Sequence, residues 1–193
     1  MSVPSLAAAL PEHAIAAGVT VRPLDQRDTR EMFALLQRNR AHLDRWLRWS
    51  SSLLSPGDVA EFIRGFEHRL VAGDGFHCGI RVDGALAGGV VCWYIHRQNR
   101  NAELGYWLDA ERTGRGLATG AARWAVDRLF RVEGLHRVEM QCAVENRASR
   151  AVAERIGFLA EGTRRESHWI TDRFLDHVVY GMLDRDWETH GHG

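Results

Sequence analysis

Residues 101–119, Asn-Ala-Glu-Leu-Gly-Tyr-Trp-Leu-Asp-Ala-Glu-Arg-Thr-Gly-Arg-Gly-Leu-Ala-Thr, decide how the chain is read. Asn101 to Leu108 has the length and apolar, aromatic character of a strand, and the polar run Asp109 to Thr113 ends it. Gly114-Arg115-Gly116 then opens a segment whose apolar stripe, Leu117, Ala121, Trp124, Ala125 and Leu129, has helical spacing. A helix N-terminus offers unpaired amide N–H groups and the positive end of the helix dipole, and glycine has no Cβ to hold a phosphate away. Arg112 and Arg115 supply guanidinium groups for charge-assisted contacts. An anion such as a pyrophosphate fits this turn; an ordinary glycine-assisted helix start fits it as well. A Rossmann fingerprint fits less well, because five residues separate Leu108 from the first glycine and Thr119 stands where the third belongs.

Working outward, Val19 to Leu24 reads as a first strand, and Asp25 to Gln37 has helical spacing through Met32, Phe33, Leu35 and Leu36. His42 to Trp49 reads as a helix with Leu43, Trp46 and Leu47 on one face, and Ser55-Pro56 with Asp58 starts another that runs to about Val71. Phe76 to Val82 and Ala85 to His96 alternate as strands around Asp83-Gly84, a two-residue hairpin turn whose central positions accept positive φ. Downstream come a strand over Arg137 to Val144, a helix over Asn146 to Ile156 closed by Gly157, and strands over Phe158 to Trp169 and Phe174 to Leu183. This order is that of a mixed α/β sheet and not of a regular doubly wound one. The expectation is a single domain over residues 1–193 with flexible ends at 1–18 and 188–193.

Composition narrows the chemistry. The 25 basic and 25 acidic residues cancel and are scattered along the chain, which argues against a nucleic-acid or anionic-membrane partner and for a small one. All 25 basic residues are arginine; without lysine there is no Walker phosphate grip, no pyridoxal phosphate attachment and no Schiff-base chemistry. Cys78, Cys92 and Cys142 lie far apart among apolar neighbours and read as reduced and buried, and no apolar run approaches the ~20 residues of a membrane span. A cytoplasmic protein is expected. No metal is expected either: the HxxxH, HExxH and CxxC spacings are absent, and His190 and His192 read as solvated tail residues.

Three segments in order, Ala102 to Leu108, Gly114-x-Gly116-x-Ala118-Thr119, and Cys142 to Phe158 (CAVENRASRAVAERIGF), resemble the GNAT superfamily of N-acetyltransferases. Within it they resemble the RimJ/RimL branch, which acetylates ribosomal-protein N-termini, and the likeness runs from about Val19 to Trp187. The resemblance implies a mostly antiparallel sheet with flanking helices, in which the parallel strands Asn101 to Leu108 and Arg137 to Val144 splay apart. Acetyl-CoA would enter that gap. Its pantetheine arm would pair with backbone near Trp107 and Leu108 as an added strand would, and its pyrophosphate would rest on Thr113, Gly114, Arg115, Gly116, Leu117, Ala118 and Thr119.

The same resemblance assigns the chemistry. Glu103, beside the gap, would take the proton of the attacking amine through water. His168 competes for that role, with Glu166 on the same strand face to orient it; where the RimL type has an acidic residue that helps catalysis, this sequence has His168. Ser149 would protonate the departing thiolate, and Asn146 would hold the pantetheine or acetyl end, cap the following helix, or do both. A bulge near Trp107 and Leu108 would turn a backbone amide toward the oxyanion. His42, Trp46 and Trp49 are offered as acceptor-facing, and Asp176, His177 and Tyr180 as structural, with proximity of Tyr180 to the thiol as the alternative. The acceptor is an amine, either a polypeptide N-terminus or a small molecule, and a homodimer is a further expectation. The competing reading is a noncatalytic module that binds coenzyme A as a sensor or assembly partner.

Overall fold

The computed structural model describes residues 10–190. In chain order the elements are β1 (His13–Ala16), β2 (Val19–Pro23), α1 (Thr29–Arg38), α2 (Arg40–Leu43), α3 (Pro56–Ala72), β3 (Phe76–Val82), β4 (Ala85–His96) and β5 (Asn101–Leu108), then α4 (Leu117–Arg131), β6 (Arg137–Ala143), α5 (Arg147–Ile156), β7 (Leu159–Ile170), β8 (Arg173–Leu183) and α6 (Asp184–His190). All eight strands join one sheet in the order β1-β2-β3-β4-β5-β6-β8-β7. The β5–β6 pair is parallel and every other pair is antiparallel. The mixed α/β sheet expected from the element order is therefore present.

Alternation along the strands builds two cores. Leu104 and Leu108 of β5 face α4, whose Ala121, Ala122, Ala125, Val126 and Leu129 are fully buried. Small alanines let this helix lie close on the sheet, and burying a side chain such as Leu129 contributes about 1.5–3 kcal/mol. Trp107 of β5 faces the opposite way, onto Met32, Leu35 and Leu36 of α1 and Val59 and Ile63 of α3. Local chemistry ends the helices: Ser55 and Asp58 form a reciprocal cap on α3 behind Pro56, and Gly73 closes it in the left-handed region.

The chain departs from the sequence expectations in three places. Residues 42–49 do not form one helix: α2 stops at Leu43, and Ser50 Oγ bonds to Asp44 Oδ1 at 2.7 Å and to the Leu47 carbonyl at 2.8 Å. Arg40 caps the carbonyls of Ser50 and Leu53, so side chains satisfy backbone groups that a continued helix would have paired. Trp46 thereby turns to Ala143, Ile170 and Leu175, away from Leu43. At the ends, His13–Ala16 pairs with β2 and Asp184–His190 is helical, where flexible segments were expected; His192 lies outside the described residues. Cys78, Cys92 and Cys142 are free and buried, and among the described residues no helix is long and apolar enough to cross a membrane.

Two predictions follow from this packing. Gly88 on β4 has φ 159°, and a Cβ there would collide with the Trp107 carbonyl oxygen and sit 2.7 Å from Leu108 Cδ2. Gly88→Ala should cost about 1–3 kcal/mol, read as a lower urea midpoint at unchanged m-value. The second concerns His77 of β3, buried among Trp49, Phe62, Phe66 and Trp107, with Nε2 accepting from Trp107 Nε1 at 3.0 Å. Burial holds its imidazole down to about 3, so the unfolded chain binds a proton that the folded one refuses as pH falls below about 6.5. Stability should decline on acidification between about pH 6 and 4, with up to ~1.4 kcal/mol per pH unit from this residue, a contribution missing in His77→Gln.

Candidate active site

Pairing between β5 and β6 runs from Asn101↔Arg137 to Leu104↔Met140 and stops, although β5 continues to Leu108 and β6 to Ala143. Beyond Leu104, β5 is paired only on its β4 side, up to Gly88↔Leu108. On β4 an extra residue, Trp93, stands between Cys92↔Leu104 and Tyr94↔Glu103. A bulge bends its strand and increases the local twist, and this one sits level with the last β5–β6 pair. The bulge was expected on β5 near Trp107 and Leu108; that segment pairs regularly with Gly89 and Gly88, and the irregularity belongs to β4.

A cavity of about 1060 Å³ fills the gap and continues across the sheet. At one end it meets Thr113, Gly114, Gly116, Leu117, Ala118 and Thr119. Gly114 and Gly116 have φ of 75° and 77°, and open space surrounds the position where either Cβ would project. Gly116 is the N-cap of α4 without a side-chain cap, and the first intrahelical bond runs from the Gly120 amide to the Gly116 carbonyl. The preceding amides are left for an anion. Arg155 of α5 reaches this point, donating to Thr119 Oγ1 at 3.2 Å, whereas Arg115 is exposed and off the cavity wall. Arg38 on Asp109 at 2.8 Å, and Asn39 Oδ1 accepting from the Ala110 amide, fix the loop that leads to the glycines.

In mid-gap, Asn146 Oδ1 accepts the Ser149 amide at 3.1 Å, so the N-cap reading of Asn146 holds. The Tyr106 hydroxyl lies 2.8 Å from Ser149 Oγ and 3.0 Å from the Ser149 carbonyl oxygen, and Cys142 Sγ lies 3.2 Å from Ser149 Oγ. Burial pushes the Tyr106 phenol and the Cys142 thiol upward, so both keep their protons at neutral pH. Neither residue is given a role in the site by the sequence reading, which takes Cys142 only as a reduced, buried cysteine. The β-alternation that turns Tyr106 away from Glu103 was the available signal. Tyr180 is absent from the cavity wall; its hydroxyl donates to Glu154 and accepts from Arg150.

On the other side of the sheet, Glu103 lines the cavity with Trp93, Gln141, His168 and His177. Burial raises the Glu103 carboxyl above its ordinary range, against a hydrogen bond from Gln141 Nε2 at 3.2 Å that favours the ionised form. The His168 and His177 rings lie 3.9 Å apart, tilted by 37°; burial holds His177 down to about 4 and lowers His168 too, aided by Arg164 and Arg48. Glu166 does not share a face with His168. The β7–β8 register jumps from Arg164↔His177 to His168↔Leu175, and Glu166, at φ 49°, bulges outward with its amide donating to Asp176. Ser167 Oγ is the hydroxyl beside His168 Nδ1, at 3.1 Å.

His42, Trp46 and Trp49 all reach the same cavity, from the segment between α1 and α3. Trp49 stacks on Phe62 at 5.0 Å and meets the edge of Trp107 at 5.8 Å, and the Arg45 guanidinium lies over Trp46 at 4.7 Å. Among the lining residues Glu103 is the only carboxylate, whereas Arg48 and Arg155 are cationic.

Comparison with known proteins accords with this geometry. The acetyltransferase (GNAT) domain family matches residues 19–159. The putative ribosomal N-acetyltransferase YdaF of Bacillus subtilis is 35% identical over 171 residues, 88% of this chain and 93% of that protein. The ribosomal-protein-serine acetyltransferase of Escherichia coli is 25% identical over 82% of this chain and 88% of its own length. A structure of RimL, the ribosomal L7/L12 α-N-protein acetyltransferase, with coenzyme A superposes with a TM-score of 0.86 at 23% identity, over 90% of this chain and 98% of that one. With its parted strands, its glycine cradle and its family match, the chain belongs to the GNAT acetyltransferases and is an acetyl-CoA-dependent N-acetyltransferase.

Proposed function

We propose that the acceptor is the N-terminal α-amine of a polypeptide, acetylated by direct attack without a covalent enzyme intermediate. The observation that carries this reading is the composition of the cavity wall. A polyamine bound there would bring a second ammonium group, and Glu103 alone among the lining residues offers a carboxylate while the Arg48 guanidinium stands beside Trp46 and Trp49. A polypeptide N-terminus carries one amine, and its flanking chain can rest on Trp46 and Trp49. The two relatives described above, matched over 88% and 82% of this chain, are named for ribosomal or ribosomal-protein acetylation, whereas a spermidine N(1)-acetyltransferase of E. coli matches 51% of it.

Bound acetyl-CoA supplies an acetyl thioester as electrophile and a thiol as leaving group. The amides from Gly114 to Thr119 and the Arg155 guanidinium would hold its diphosphate, and the unpaired edge of β5 at Trp107 and Leu108 would align the arm. An α-amine with a pKa near ~8 arrives largely protonated at neutral pH. Glu103 accepts its proton through water, and its raised carboxyl brings the base closer to the working pH. His168, neutral and on the opposite wall, is the alternative acceptor of that proton. Ser149 Oγ, held by the Tyr106 hydroxyl at 2.8 Å, delivers a proton to the thiolate and recovers one through water from those the amine gives up.

Glu103→Gln should lower kcat/KM at pH 7 by about 10²-fold, with the deficit narrowing toward pH 9 as free amine accumulates. A wild-type rate at every pH would move the role to His168. Purified protein should release thiol from acetyl-CoA faster with unblocked N-terminal peptides than with spermidine, by at least about tenfold in kcat/KM. Preferred turnover of spermidine would refute the acceptor assignment.

A further inference from the structure

Three strands contribute one side chain each to a line of hydrogen bonds beside the gap. Gln141 of β6 donates through Nε2 to Glu103 Oε2 of β5 at 3.2 Å, and its Oε1 accepts from Arg164 Nη1 of β7 at 3.4 Å. A carboxylate can only accept and a guanidinium can only donate, so one orientation of the amide satisfies both partners. Gln141 lies two residues beyond Glu139, the register partner of Glu103, and so on the same face of β6. No apolar residue of similar size could bridge these two ions.

The surroundings of Glu103 make the bridge consequential. Tyr94 of β4, the register partner of Glu103, carries its proton at neutral pH, as does the Cys92 thiol buried on the other face of the sheet, and Glu139 of β6 repels the Glu103 charge. Glu139 is itself paired with Arg137 at 2.7 Å. Arg164 is the cation that acts on Glu103 from β7, and His168 and His177 complete that side of the cavity. Burial and Glu139 favour the protonated carboxyl; the Gln141 amide and Arg164 favour the ionised one.

We infer that Gln141 is a positioning residue, which holds the Glu103 carboxylate at the cavity wall and couples it to the Arg164 guanidinium on the β7–β8 hairpin. The assignment rests on Glu103 as the base proposed above, and it adds a second determinant of when that base is ionised. It also ties the base to the hairpin that forms the far wall of the acceptor cavity.

The test uses the full chain labelled with ¹³C at the glutamate side-chain carboxyls, titrated by NMR, with Glu103→Gln identifying the resonance. Gln141→Leu should raise the Glu103 midpoint by about one pH unit, and Gln141→Lys, which substitutes a cation for the amide, should lower it. Arg164→Met, a change at an exposed position, should raise it by less and covers the case in which a Gln141 variant folds poorly. The acid limb of kcat/KM should move with the same signs, while the thermal shift produced by coenzyme A stays unchanged. A merely structural glutamine would not give opposite displacements for leucine and lysine; an unmoved midpoint, or displacements of one sign, overturns the assignment. If the midpoints move as expected but Glu103→Gln retains the wild-type rate, the coupling stands and the base assignment alone fails.

Discussion

The rest of this molecule depends on two parallel strands that stop bonding to each other while both are still extended. Past Leu104 and Met140 the facing edges of β5 and β6 carry backbone groups without a strand partner. Buried N–H and C=O groups of that kind need partners, and a slender, amide-bearing arm of extended shape can supply them where a side chain cannot. The Trp93 bulge of β4 lies at the level where β5 leaves β6, and a bulge bends and twists its strand. β5 is then held on its other side by regular pairing as far as Leu108, where Gly88 allows close approach of the two backbones.

Around this gap the chain keeps its ionisable groups largely uncharged. His168 and His177 are pushed toward neutral imidazole, the Cys142 and Tyr106 protons are retained, and the Glu103 carboxyl is drawn upward, in each case chiefly by burial. Such an environment suits the transfer of an acyl group to an amine that must first become neutral. Fixed charge is placed at the margins, with Arg155 beside the start of α4 and Arg48 next to Trp49 on the cavity wall. With arginine as the sole strongly basic residue, backbone amides and guanidinium groups are the donors this chain has for a phosphate.

The legible elements were those whose local signals agreed. β3, β4 and β5 have the bounds that alternation and the Asp83-Gly84 turn predict, and the Asn146 cap of α5 is where its spacing places it. Residues 42–49 misled because Leu43, Trp46 and Leu47 have helical spacing while serving different cores, a division set by hydrogen bonds from Arg40 and Ser50. β1 is four residues long and α6 follows β8 without a break, so neither announces itself. Glu166 was misplaced for a similar reason: two-residue alternation holds only while the ladder is regular, and β7 bulges between Arg164 and His168.

Residue types and their order along the chain were enough for the sheet class, the glycine cradle, the absence of lysine chemistry and the family likeness, because all of these are local patterns or simple composition. Which side chains meet was settled by the fold. The Gln141 bridge from Glu103 to Arg164 joins three strands, and the contact between Tyr106 and Ser149 spans 43 positions of sequence. Such pairs arise from strand order, register and bulges, quantities that depend on how distant segments pack and that no single segment encodes.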